Sequence, residues 1–407
     1  MTVTFDLPRS FDVQEFFPAP SLQLRAADAA RWLVSTILRK TANRDTDLWG
    51  VVRLDSRILR RIMGRDSTDI IRALEQGAIE TAPYCAGIKC RGYRLAQRYL
   101  GDRCVRRPVV DRRLIERLEQ ERQRQDAEDR QVRWQPIHYR LDAEQGRLTI
   151  DPAADAILAT LPKHTRLCQD VLVSHLRHRE FPFSVSSTGR VFNAITGLKR
   201  ELRGALRIGG EPVGSVDIRC AQPALLAVAM TQETPTNGLN ERTTYKHWGP
   251  PPLDLALPVP ASVPVVSPAP DSFTTLVFGG RFYESLMDTT GLERACVKLG
   301  FLRDVLAKRG RYPSTVEQAF REMFPSVYDY IRLVNRHDHG NLIRYLQRLG
   351  SWLIIENVAP RLVGRVPCLT LHDAIYSTLQ CLPAVEEAFQ DVFSEIGCRL
   401  ALKREAT

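Results

Sequence analysis

The 407-residue sequence has no apolar run near the ~18 residues that a membrane-spanning helix needs. Its opening stretch, MTVTFDLPRSFDVQEFF, places no basic segment ahead of an apolar one, as a secretory leader would. Paired cysteine spacings are also missing. The nine cysteines are odd in number and scattered, which speaks for reduced thiols rather than a disulfide framework. Cys85-x4-Cys90, with Cys104 downstream, lacks both the CxxC spacing and the nearby His of a zinc knuckle. No internal repeat occurs. These absences lead to the expectation of a cytoplasmic chain with no membrane partner. What is present is globular, with 44% hydrophobic and 26% charged residues over a length that suits two or three domains.

The net charge of +10 is unevenly spread. Between Lys89 and Arg113 stand nine Lys/Arg against two Asp. A stripe of one sign is the footprint of a polyanionic partner, in the cytosol most often nucleic acid. A solvated helix face, the plainer alternative, usually intersperses its charges.

Residues 27–41 carry Ala30, Leu33, Val34, Ile37 and Leu38 at helical spacing. DSRILRRIMG then predicts a helix capped by Asp55 or Ser56 and stopped at Gly64, and RDSTDIIRALEQG a second one, capped near Asp66 or Ser67 and ended at Gly77. AIETAPY, AGIKCRG and YRLAQRY follow as two short strands around a basic loop. Helix, turn, helix, hairpin is the order of a winged helix, whose second helix would read a major groove. Arg57, Arg60, Arg61, Arg72, Lys89, Arg91 and Arg94 make this module a candidate nucleic-acid reader; a protein-docking module of the same shape is the competing reading. Residues 111–135 predict a charged helical linker, and 231–270, with nine of the 25 prolines, an extended insertion.

The second half holds the candidate chemistry. Glu211-Pro-Val-Gly-Ser-Val-Asp217 places an acid at the end of an apolar strand, and Gln222-Pro223 opens a buried helix. Far downstream, Pro367-Cys-Leu-Thr-Leu-His372-Asp373-Ala-Ile-Tyr-Ser reads as strand, tight turn, strand. A carboxylate buried unpaired at a strand end costs several kcal/mol. A divalent cation held between two of them removes that cost, and two-metal phosphoryl transfer uses such carboxylates from separate strands. Mg²⁺ suits because it takes few protein carboxylates and completes its shell with phosphate and water. Taken singly, Asp217 could instead cap the next helix and His372 close a turn.

The order of motifs carries more weight than any one of them. Thr188-Gly189-Arg190, Asp217, Arg294-x3-Lys298 with Phe301, Gln347, and His372-Asp373 follow one another, with Phe320–Ile331 resembling a Y-P-x-V-x-x-Y stretch. This succession resembles the family A nucleic acid polymerases, the group of bacterial DNA polymerase I and the single-subunit phage RNA polymerases. The resemblance spans residues 186–378. It implies an α+β fold: a right-hand palm with reduced fingers and thumb over 136–407, preceded by the winged-helix-like domain over 1–110.

The same resemblance implies roles. Asp217 and Asp373, with the Ile218 carbonyl, would hold two Mg²⁺, with Mn²⁺ as the alternative ion. Arg294 and Lys298, one helical turn apart, would face the triphosphate, and Lys298 would also take part in catalysis. An ordinary solvated helix face is the plainer reading of that pair. Phe301 would lie against the incoming base or sugar, and Gln222 would fill the space of a 2′-hydroxyl. Arg190 and Gln347 would touch the primer–template and His372 the primer end. Departures are visible too. Gln222 stands where the family's DNA polymerases have Glu, Phe301 follows Lys298 by three residues rather than four, and Ala374 replaces the acid after motif C. No exonuclease signature occurs in residues 1–180. The expected activity is template-directed nucleotide addition to a primer 3′-hydroxyl from nucleoside triphosphates, with DNA favoured as product. An RNA polymerase or primase on the same fold, and a catalytically dead DNA-binding regulator, are the rivals.

Overall fold

A computed structural model of the chain describes residues 3–18, 20–47, 50–84, 90–232 and 270–406. The protein is mixed α/β, with small sheets whose strand pairs are antiparallel among the described residues, as an α+β chain requires. No helix among the described residues is long and apolar enough to cross a membrane. Cys85, Lys89 and nearly all of the 231–270 insertion lie outside the described residues. Two compact units form. The first comprises Met1–Trp134, Gln145–Phe183 and Asn193–Pro212; the second comprises Gln135–Glu144, Ser184–Phe192 and Val213–Thr407.

In the first unit the helix expected over 27–41 runs from Pro20 to Ala42. Ala30, Leu33, Val34, Ile37 and Leu38 are all fully buried, as one apolar stripe at helical period demands. The helix Ser56–Met63 starts at Asp55, whose side chain accepts from the Arg57 N–H, and stops at Gly64 with φ +81°. There a residue with a Cβ would be strained. The helix Ser67–Leu74 follows after a short turn. Val52–Arg53, Gly92–Leu95 and Ile79–Ala82 then make a three-stranded sheet, with Gly92–Leu95 in the middle. The charged helix forms over Arg112–Arg133, capped by Asp111. It packs against Ser56–Met63, buries Leu114 and pairs its Glu121 with Arg61 at 2.9 Å.

The second unit is organised around the strand segment Val213–Ile218. Ala374–Thr378 pairs along it in the register Val213↔Thr378 to Asp217↔Ala374, and the last strand, Leu402–Ala406, places Lys403 opposite Asp217. The helix Ala221–Gln232 carries Pro223 in its first turn and buries Ala224 through Ala229 without a polar break. It packs against the helix Asn341–Ser351. A second core is aromatic. Phe273, Phe282, Phe301, Phe320 and Phe324 are each at most 5% exposed and meet mostly edge to face. Two segments wind as π-helix, Phe301–Leu306 and Trp352–Val358. Such widened turns are uncommon and gather near functional sites.

Candidate active site

Strand pairing brings the two acids together. Leu369–Leu371 and Ala374–Thr378 form a hairpin with Leu371 opposite Ala374, so His372 and Asp373 are its two turn residues. Ala374 also lies opposite Asp217, and the Ile218 N–H donates to the Asp373 carbonyl at 3.4 Å. The two carboxyl groups therefore come from adjacent strands at the same end of one small sheet.

Their electrostatics are unfavourable by construction. Burial, then the charge and close approach of the Asp373 carboxyl, then Glu405, push the Asp217 carboxyl up to about 8, while Lys298 pulls it back. Asp217 Oδ1 is buried with no hydrogen-bond partner among the described residues. A cation shared by the two acids would relieve both defects. Among the described residues no group of three or more His, Cys, Asp or Glu side chains gathers to hold a metal. Two carboxylates with solvent and phosphate oxygens suit Mg²⁺ better than they suit a fully protein-caged ion.

The backbone beside each acid is strained. Only four non-glycine residues among those described have left-handed φ, and two of them are Cys220 at +52° and His372 at +57°. One follows Asp217 by three residues and the other precedes Asp373. Strain of this kind costs on the order of 1–3 kcal/mol per residue and collects at functional positions.

A cleft opens next to Asp373. Arg190, Ile218, Gln222 and His372 line it, and Leu225 and Ile354 contribute apolar wall. Burial pulls the Arg190 guanidinium down, against the opposing charge of Asp373. Arg190 follows Gly189 in the turn between Ser184–Val185 and Val191–Phe192. Gly189 has φ +76°, where a side chain would be strained, and a Cβ there would stand a tight 3.3 Å from the Ser351 Cβ, so glycine suits the close approach of the turn to the helix Asn341–Ser351. The Phe192 ring meets His372 edge-on at 6.2 Å. Gln222 Oε1 is buried and has no hydrogen-bond partner among the described residues. Gln347 lies on the same helix, which reaches the cleft with Gly350 and Ser351, one turn further on.

The helix Arg294–Gly300 carries the candidate triphosphate cations. Lys298 is exposed, has no ion-pair partner among the described residues, and acts on Asp217 through its charge. Arg294 is engaged elsewhere. It pairs with Glu284 and lies 5.5 Å over the Tyr283 ring, so meeting a phosphate means leaving Glu284. Phe301, expected against a base or sugar, has no exposed surface, because the aromatic core takes it at 4.9 Å from Phe282 and 5.4 Å from Phe320.

Asp217, Ile218, Gln222, Arg190, His372 and Asp373 are thus brought together, with Lys298 in electrostatic reach. Five of the candidate basic residues of the first unit are engaged by acids. Arg57 pairs with Asp55, Arg61 with Glu121, Arg72 with Asp69, Arg91 with Glu75 and Arg94 with Glu80. Arg60 is exposed and has no ion-pair partner among the described residues. Sequence reasoning missed Lys403 and Glu405, which face Asp217 and Ser215 from the last strand. LKREA carries no motif, and only register places it beside the acids.

No protein-family model matches the chain, and no curated protein matches it.

Proposed function

We propose that the chain is a template-directed nucleotidyltransferase, a compact family A-like DNA polymerase that extends a primer 3′-hydroxyl with nucleoside triphosphates. The observation that carries this reading is the Asp217–Asp373 pair: two carboxyls forced together at adjacent strand ends, one with a buried oxygen that has no hydrogen-bond partner among the described residues. On this reading the strands around Asp217 belong to a palm. The two helices and three-stranded sheet of the first unit are a winged-helix-like module.

Asp217 and Asp373 would hold Mg²⁺, which when bound lowers the charge barrier to in-line displacement at the α-phosphate. The chain's own groups supply the rest. Lys298 offers a fixed cation where pyrophosphate charge gathers. Arg190 and His372 bind and orient the primer end beside Asp373, and Gln222 keeps bulk near the sugar, which favours deoxyribonucleotides.

Primer extension with labelled deoxyribonucleotides and ribonucleotides, on DNA and on RNA templates, tests the reading. Asp217→Ala and Asp373→Ala are each expected to lower extension at least ~10³-fold while circular dichroism stays unchanged. Near-wild-type extension by either variant would falsify the assignment. A wild-type protein that prefers ribonucleotides moves the reading to an RNA polymerase or primase on the same site.

A further inference from the structure

The segment that carries Lys298 continues through the π-helix Phe301–Leu306 into the loop 307–314. No Asp or Glu occurs between Asp304 and Glu317, while Lys308, Arg309 and Arg311 do. Arg309 and Arg311 are exposed and have no acidic partner among the described residues. Tyr312 between them and Pro313 is 89% exposed, more than any other large apolar or aromatic side chain among the described residues.

The loop's base, by contrast, is fastened. Lys308 Nζ donates to both oxygens of Glu317, at 2.7 and 2.5 Å, and Tyr328 Oη donates to Oε1 at 2.6 Å. Glu317 is 1% exposed. Ser314 caps the next helix by accepting from the Glu317 N–H, and Asn335 Nδ2 donates to the Leu306 carbonyl at 2.7 Å. Pro313 further restricts Tyr312 to extended backbone. An aromatic ring and two guanidiniums with no acidic partner among the described residues therefore stand out from a hydrogen-bonded base. Stacked bases on aromatic rings, with phosphates on flanking cations, are how single strands are held without sequence preference.

We propose that this loop is a binding site for single-stranded DNA, with one base stacked on Tyr312 and adjacent phosphates on Arg309 and Arg311. The identity of the strand as the template overhang rests on the polymerase reading; the binding itself does not.

The test uses the full chain and a fluorescent 20-nucleotide oligo(dT), read by anisotropy over a salt series, with an RNA oligonucleotide and a blunt DNA duplex as parallel arms. Tyr312→Leu is expected to weaken oligo(dT) binding roughly 5- to 150-fold, and Tyr312→Phe to restore it. Arg309→Ala with Arg311→Ala should flatten the salt slope by ~1.4, at ~0.7 per phosphate. Because Tyr312 is so exposed, thermal melts of its variants should match the wild type.

Wild-type-like affinity of Tyr312→Leu overturns the stacking site, and failure of the wild type to bind oligo(dT) makes the loop a protein-docking element instead. Tighter binding to the RNA or to the duplex overturns the choice of single-stranded DNA. Extension assays on the same proteins keep the two claims apart. Binding through Tyr312 without nucleotide addition leaves the loop standing and removes the polymerase reading. Extension with Tyr312→Leu unaltered in template affinity does the reverse.

Discussion

Asp6 and Asp217 are the same residue on the same kind of element, and the fold treats them oppositely. Asp6 is fully buried on the strand Thr4–Pro8, yet Arg39 Nε reaches its Oδ2 at 2.5 Å and His175 Nε2 at 2.7 Å, with Arg106 at 3.8 Å from Oδ1. Burial pushes its carboxyl up, but the hydrogen bonds and charges of His175 and Arg39 outweigh that and hold it below the usual range. Asp217 is half-buried and meets another carboxyl, with Lys298 acting on it only through its charge, so its carboxyl rises to about 8. The difference is compensation, not depth. A carboxylate surrounded by donors stabilises the fold, whereas one left beside its like is kept at a cost in stability. The arginines divide in a similar way: Arg57 and Arg61 on Ser56–Met63 are paired, whereas Arg60, Arg309 and Arg311 have no acidic partner among the described residues.

The contrast breaks most sharply at Asp6. Asp6→Asn should lower unfolding stability by roughly 3 kcal/mol at pH 7, the low end for a broken buried pair because Arg39 is 35% exposed and can recover water. The native carboxyl titrates below its unfolded value of 3.8, so its contribution is present at neutral pH. It is lost as pH falls through the native pKa. Urea melts of both proteins at pH 7 and below pH 3.8 check this; a gap that persists unchanged in acid contradicts it.

A smaller effect of opposite sign is expected at Asp217. With chelator present and at pH 9, above the about 8 of its carboxyl, Asp217→Asn should gain roughly 1–3 kcal/mol, a rise of a few °C in Tm. On the polymerase reading, the variant should meanwhile lose nucleotide addition. A drop in Tm would mean that Asp217 is a structural anchor like Asp6.

Least is expected from the paired arginines. Arg72→Ala and Arg94→Ala should each change stability by less than about 1 kcal/mol, since both ion pairs are solvent-exposed. If these side chains serve their acids rather than a duplex, the salt slope of duplex binding should also stay unchanged. A slope flattened by ~0.9 per residue would restore the groove-reading role to that face.

Much of the local structure was legible in the sequence. Asp55 and Gly64 bound their helix because a side-chain acceptor and a residue free to take positive φ are needed where backbone hydrogen bonding stops. The apolar stretches on either side of His372-Asp373 read as a hairpin, and the acid at the end of Val213–Ile218 was visible as the last polar position of an apolar strand. These features depend on neighbours within a few residues, and covalent proximity supplies such neighbours in any conformation of the chain.

Partners could not be read this way. Glu121 neutralises Arg61, Glu75 neutralises Arg91 and Glu284 takes Arg294, although in sequence each cation looked free. Phe301 looked available as a stacking surface until the aromatic core enclosed it. Glu405 joined the Asp217 site only through the register of the last strand. Composition and spacing determined which groups this protein can ionise and where its helices and strands begin. Which of those charges are cancelled and which remain was decided by tertiary structure, because Coulomb energy and desolvation depend on distances of a few ångströms between residues far apart in the chain.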